Sequence, residues 1–147
     1  MRTRMSVAMA ILALSAVGAA AQDNMCGDQP IAPEISSPAE MAQKSPADAA
    51  AARHGAFMDI KRWQGQLKSY RDCLNAAVDT DRRNLGEAQR SDKPDKDKMT
   101  KLQADITSSG HDWDASVDEE ERVVNQFHAA QVAYCARSDV DRAACPK

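Results

Sequence analysis

FMDIKRWQGQLKSYRDCLNAA, residues 57–77, decides the fold. Its apolar residues fall at Ile60, Trp63, Leu67, Tyr70, Leu74 and Ala77, alternately three and four apart. That is a heptad seam, with a at 60, 67 and 74 and d at 63, 70 and 77, and it predicts a helix with one apolar stripe. A second seam answers it at Met99, Leu102, Ile106, Trp113, Val123, Phe127, Ala130 and Tyr134. The expected fold is therefore all-α: a long antiparallel two-helix hairpin with coiled-coil character. An irregular N-terminal arm stapled by a disulfide and a short C-terminal hook complete it.

Working outward, Ser45-Pro46-Ala47-Asp48 has the form of a helix start, with a cap, proline at the first helical position and an acid at the third. The first long helix is expected from Pro46 to about Arg90. Gly65 falls at a solvent-facing position, where it costs about 1 kcal/mol and disturbs no packing. Ser91-Asp92-Lys93-Pro94 is the turn, and the second helix should run from about Pro94 to Ala136. Thr107-Ser108-Ser109-Gly110, four poor helix formers in a row, leaves a kink or break there as open as a continuous helix. Ser37-Pro38-Ala39-Glu40 signals one or two turns ending near Lys44. Ser138 is the expected cap of a helical turn before Cys145. With the turn centred near residue 93, facing positions sum to about 187. Leu74 should then meet Trp113, Tyr70 meet Val117, Trp63 meet Val124, and Ile60 meet Phe127.

Residues 1–21 read as a signal peptide: Arg2 and Arg4, an apolar run from Val7 to Val17, and Ala19-Ala20-Ala21 before a cleavage point at Gln22. Residues 22–45 form the arm, and 46–147 the hairpin with its hook. Removing 21 of 147 residues leaves 126, and losing two arginines takes the net charge from −3 to −5. Nucleic acid and anionic membrane are poor partners for such a chain. The expected location is periplasmic or secreted, with no membrane insertion after signal removal.

Four cysteines in an exported chain argue for two disulfides. The hairpin register places Cys73 and Cys135 about 20 residues, or ~30 Å, apart along the axis. A bridge needs Cα atoms within about 7 Å, so Cys73–Cys135 is excluded unless the second helix folds back at Gly110. Cys26–Cys73 is feasible, because residues 26–45 can reach ~60 Å and the path from Pro46 to Cys73 is only ~40 Å. Cys135–Cys145 is feasible as a closure of the tail. This is the expected pairing, and the two loops imply about 4 and about 3 kcal/mol of stabilisation.

The sequence offers no catalytic motif. His54, Asp59 and His128 form a conceivable metal-ligand set in the hairpin register, but no close ligand spacing supports it, and ordinary surface histidines are the expectation. The acidic stretch through Asp112, Asp114, Asp118, Glu119, Glu120 and Glu121 reads as a solvated helix face. It has neither a cleft for paired carboxylates nor the loop spacing of a calcium site. Trp63, Tyr70, Trp113 and Phe127 read as core. No cofactor is called for.

Cys26 ahead of Pro30-Ile31-Ala32-Pro33, then Tyr70-Arg71-Asp72-Cys73-Leu74, Asp114-Ala115-Ser116-Val117-Asp118, Phe127 and Tyr134, resembles a group of small exported bacterial helical-hairpin proteins of unassigned function. The resemblance covers most of the chain after the signal peptide. It implies a helical hairpin and a Cys26–Cys73 bridge, and no activity. Cys135 and Cys145 depart from its simplest form. The functional expectation is a non-enzymatic structural or protein-interaction protein with an unidentified protein partner. The alternative is a periplasmic ligand- or metal-binding helical bundle. Two staples favour a monomer over a homodimer. Val78, Leu85 and Leu102 near the turn form the apolar strip where a second copy or another protein would dock.

Overall fold

The computed structural model describes residues 25–145; residues 1–21, expected to be a signal peptide, and residues 22–24 of the arm lie outside the described residues. Among the described residues there is no strand, and the elements run α1 (Pro38–Gln43), α2 (Pro46–Gln89), α3 (Lys96–Cys135) and a 3-10 turn (Arg142–Ala144). α2 and α3 are the antiparallel pair that the two seams predict, and they pack on each other over their length.

Capping explains the boundaries. Ser37 closes a full capping box with Glu40, and proline follows it at the start of α1. The Ser45 hydroxyl accepts from the Asp48 amide at the start of α2. α3 begins at Lys96 rather than Pro94, because Asp95 supplies the cap by accepting from the Lys98 amide. Of the two alternatives open at Thr107–Gly110, α3 takes the continuous one. The Thr107 hydroxyl donates back to the Gln103 carbonyl, so this residue's polar group is used within the helix. At the hook the cap is Asp141, which accepts from the Ala143 amide, and not Ser138.

Both expected disulfides are present. Cys26–Cys73 and Cys135–Cys145 have Cα separations of 5.7 and 5.9 Å. From Cys26 the chain turns at Gly27, whose φ of 72° is a left-handed conformation that suits glycine. The arm then runs antiparallel to α2. The Trp63 indole donates to the Pro30 carbonyl at 3.0 Å. Ala32 and Ile35 pack on a core of Ile60, Trp63, Leu67 and Val123, with Phe127 at its margin. Ile35 also touches a second core, in which Met41 of α1 meets Ala49, Ala130 and Tyr134. Arg137 locks this end, donating to the Met41 and Lys44 carbonyls at 2.8 Å each. It spends its remaining donors on Asp139. These bonds satisfy carbonyls at the C-terminal end of α1 that have no partner within the helix.

The register is right to within a turn, and the seam residues Leu102, Val123, Ala130 and Tyr134 are buried as expected; the departures are Trp113, whose inner place Ser116 takes, and the partner of Trp63. Ser116, Val123, Ala130 and Tyr134 are buried. Val123, not Val124, meets Trp63; Val124 is 40% exposed and Trp113 is 37% exposed. Small residues at 116 and 130 hold the space between the helices, and the bulky Trp113 indole is displaced to the margin.

Beyond Leu74 and Ser116 no described residue of the arm accompanies the hairpin. Toward the turn Leu102 is the sole buried apolar side chain among the described residues. The molecule therefore has a sheathed half and a bare distal stem.

Candidate functional site

The hairpin is a ribbon with two broad faces. Residues two apart on a helix point ~200° apart, so Cys73, which holds the arm, and Arg71 lie on opposite sides of α2. The same holds on α3: Arg122 and Gln126 border the arm across a polar crevice, whereas Glu120 and Val124 face away from it. One face is covered by the arm and α1. The other is open.

A polar cluster sits at the middle of the open face. Arg71 donates through Nε to the Ser116 hydroxyl at 2.7 Å, through Nη2 to the Ser116 carbonyl at 2.6 Å, and through Nη1 to Glu120 at 2.6 Å. Its guanidinium lies 5.8 Å from the centre of the Trp113 ring. Gln64 donates to the other Glu120 oxygen at 2.8 Å. The Ser116 hydroxyl donates to the Trp113 carbonyl at 2.6 Å. Arg71 and Glu120 are mostly shielded, with side-chain exposures of 18% and 27%. The Arg71 bond holds the Glu120 carboxyl below its ordinary range, against the opposing effect of burial and with help from Gln64. The cluster joins the Tyr70–Leu74 and Asp114–Asp118 segments into one cross-helix clamp. Its hydrogen bonds are directed inward, so it positions the two helices against each other.

Apolar side chains border the clamp on the same face. Toward the open end are Val124 and the Phe57–Phe127 pair, whose ring centroids are 6.4 Å apart. Phe57 is 45% exposed. Toward the turn, a shallow groove of about 960 Å³ runs along the distal stem, with Leu85, Met99 and Ala104 among its lining and Lys96 and His111 near its ends.

The sequence candidates distribute unevenly over this surface. All four cysteines are bonded as expected. His54, Asp59 and His128 are each exposed, and Asp59 pairs with Arg62 at 2.9 Å. Among the described residues no group of three His, Cys, Asp or Glu side chains is arranged to hold a metal ion. Two acids of the stretch are held by cations: Glu119 by Arg122 on its own helix and Glu120 by Arg71 across the hairpin. Trp63 and Tyr70 are core, Phe127 is half-buried and Trp113 is marginal. The strip expected at Val78, Leu85 and Leu102 is not continuous. Leu102 turns into the hairpin and is buried, while Val78 and Leu85 are half-buried, because Leu102 is the residue that closes the thin core of the stem.

Sequence reasoning missed the Arg71 clamp. The available signal was the pair Ser116 and Glu120, polar residues at seam positions seven and three before Val123, which demand a partner from the facing helix. No helix among the described residues is long and apolar enough to cross a membrane. No family model, no curated protein and no solved structure matches this chain.

Proposed function

We propose that this is an exported, non-catalytic interaction protein that presents the open face of its hairpin to a protein partner. In this reading residues 1–21 direct export to the periplasm or beyond, and the disulfides hold the scaffold in an oxidising compartment. The observation that carries the reading is the asymmetry of the two faces. The arm, α1 and the hook cover one side, where the arm itself exposes Met25 and Ile31, whereas the opposite side of the hairpin keeps Phe57, Trp113 and Val124 at the surface beside a preorganised Arg71 clamp. Aromatic side chains with an adjoining arginine are the residue types that dominate protein interfaces.

A photo-crosslinking residue placed at Val124 in the exporting cell tests this. The expected result is discrete protein adducts from position 124 and none from Glu34 on the arm. Equal labelling from both positions, or none from 124, overturns the reading. Elemental analysis of the purified protein tests the metal-binding alternative: one equivalent of a transition metal, lost in His128→Ala, would replace the interaction reading with that one.

A further inference from the structure

The distal stem is divided by charge as well as stripped of cover. From Arg82 to Asp105 the tip carries seven basic and five acidic residues, a net of +2. The adjoining zone, residues 66–81 with 106–121, carries two basic and nine acidic residues, a net of −7. The groove straddles the boundary between the two charge blocks, with Leu85, Gln89 and Lys96 on the tip side and His111 on the other, and its floor on α3 from Met99 to Ser108 has only uncharged lining residues, among them Thr100, Gln103, Ala104 and Thr107.

We propose that this groove is the docking surface for a second copy of the same chain, packed antiparallel, groove on groove, about a two-fold axis near Ala104. The proposal rests on the interaction reading above and names a partner for one part of the open face. In an isologous contact each patch meets itself reversed. A two-fold axis near Ala104 brings positions that sum to about 208 to the same level; Asp97 there meets the partner's His111, and Lys96 meets the partner's Asp114, the acid on its own flank of the helix. The turn residue Lys93 falls at the level of the partner's Ala115. Each positive tip therefore overlies the other copy's negative zone, and the uncharged floors meet between them. A parallel pairing would instead stack like charges at both ends. Leu85 and Met99, half-buried in one copy, gain cover from the other. The staples make the sheathed half self-sufficient, so the association is reversible and confined to the stem.

Sedimentation velocity on the disulfide-bonded protein, from about 1 to 100 μM, tests the pairing. The expected result is a concentration-dependent monomer–dimer equilibrium that weakens about tenfold between 50 and 500 mM salt. Ala104 is exposed, so Ala104→Glu should leave helicity unchanged while setting two carboxylates against each other on the axis, giving monomer throughout. Lys96→Glu should weaken the dimer, and Lys96→Glu combined with Asp114→Lys should restore it. A monomer at 100 μM in low salt overturns the proposal, as does a dimer indifferent to Ala104→Glu. Failure of the double exchange to restore association overturns the antiparallel register. None of these results bears on crosslinking at Val124, so the pairing and the broader interaction reading fail separately.

Discussion

The sheathed half and the distal stem are built from the same two helices and differ in what surrounds them. Where the arm, α1 and the hook accompany the hairpin, buried side chains come in clusters: Trp63, Leu67 and Val123 in one, Met41, Ala130 and Tyr134 in the other. Where the hairpin stands alone, Leu102 is the only apolar side chain buried among the described residues. Two helices facing each other shield one stripe apiece. A third segment is needed before side chains of Trp63 or Tyr134 size are enclosed on all sides. The difference shows that helical periodicity by itself does not enclose side chains; cover does.

The sharpest way to break the comparison is to release the cover. Replacing Cys26 and Cys73 together by serine frees a loop of 47 residues and should cost about 4 kcal/mol, read as a lowered urea midpoint. Replacing only Cys135 and Cys145, which close 10 residues, should cost about 3 kcal/mol. Equal and negligible effects from both pairs would mean that the arm does not hold the core.

Next in size is a matched pair of truncations. Leu67→Ala, in a fully enclosed site between both helices and the arm, should cost about 3 kcal/mol. Leu102→Ala, in the thin stem, should cost about 1 kcal/mol, since fewer atoms surround the space it leaves. Denaturant titration of the two variants checks the ranking, and a larger loss from Leu102→Ala would reverse the assignment of the core.

Much of this arrangement is legible in the sequence. The 3–4 spacing from Ile60 to Ala77 and the proline-marked caps locate both long helices, because each signal acts within a few residues of its effect. Four of the eight seam positions on α3 are buried as read, but which residue of α3 meets a given residue of α2 was harder. Choosing Val123 over Val124 depends on how closely the helices approach at Ser116 and Ala130, a property of the pair and not of either strand of sequence. The Arg71 clamp was missed for a related reason. Arg71 lies off the apolar stripe, and a heptad reading treats such positions as solvent, whereas here it reaches across to cover Ser116 and Glu120.

That clamp marks the boundary between the two regions, and it can be tested by pH. Glu120 has its carboxyl pKa lowered below the ordinary 4.5 in the folded chain. A group depressed in this way adds stability above its unfolded pKa and loses it as pH falls through the folded value. Wild-type stability should therefore decline below about pH 4.5, and Glu120→Gln should flatten part of that decline. Arg71→Met, which leaves Glu120 shielded without its cation, should cost about 2 kcal/mol at neutral pH. An acid profile identical in Glu120→Gln and wild type would remove Glu120 from the clamp.

The smallest expected effect is a gain. Gly65 lies within α2 with open space where a Cβ would stand, so Gly65→Ala should stabilise the protein by roughly 0.5–1 kcal/mol. A loss there would mean that the outer side of α2 is more closely packed than the structure indicates.

Native-state hydrogen exchange, followed by mass spectrometry at high dilution so that any association is dissociated, tests the central contrast most directly. The account expects backbone amides of α2 before Leu74 and of α3 after Ser116 to exchange only through global unfolding. Amides between about residues 78 and 110 should open at a markedly lower free energy, as a separate unit. Uniform protection along both helices, with the stem as slow as the sheathed half, would contradict it.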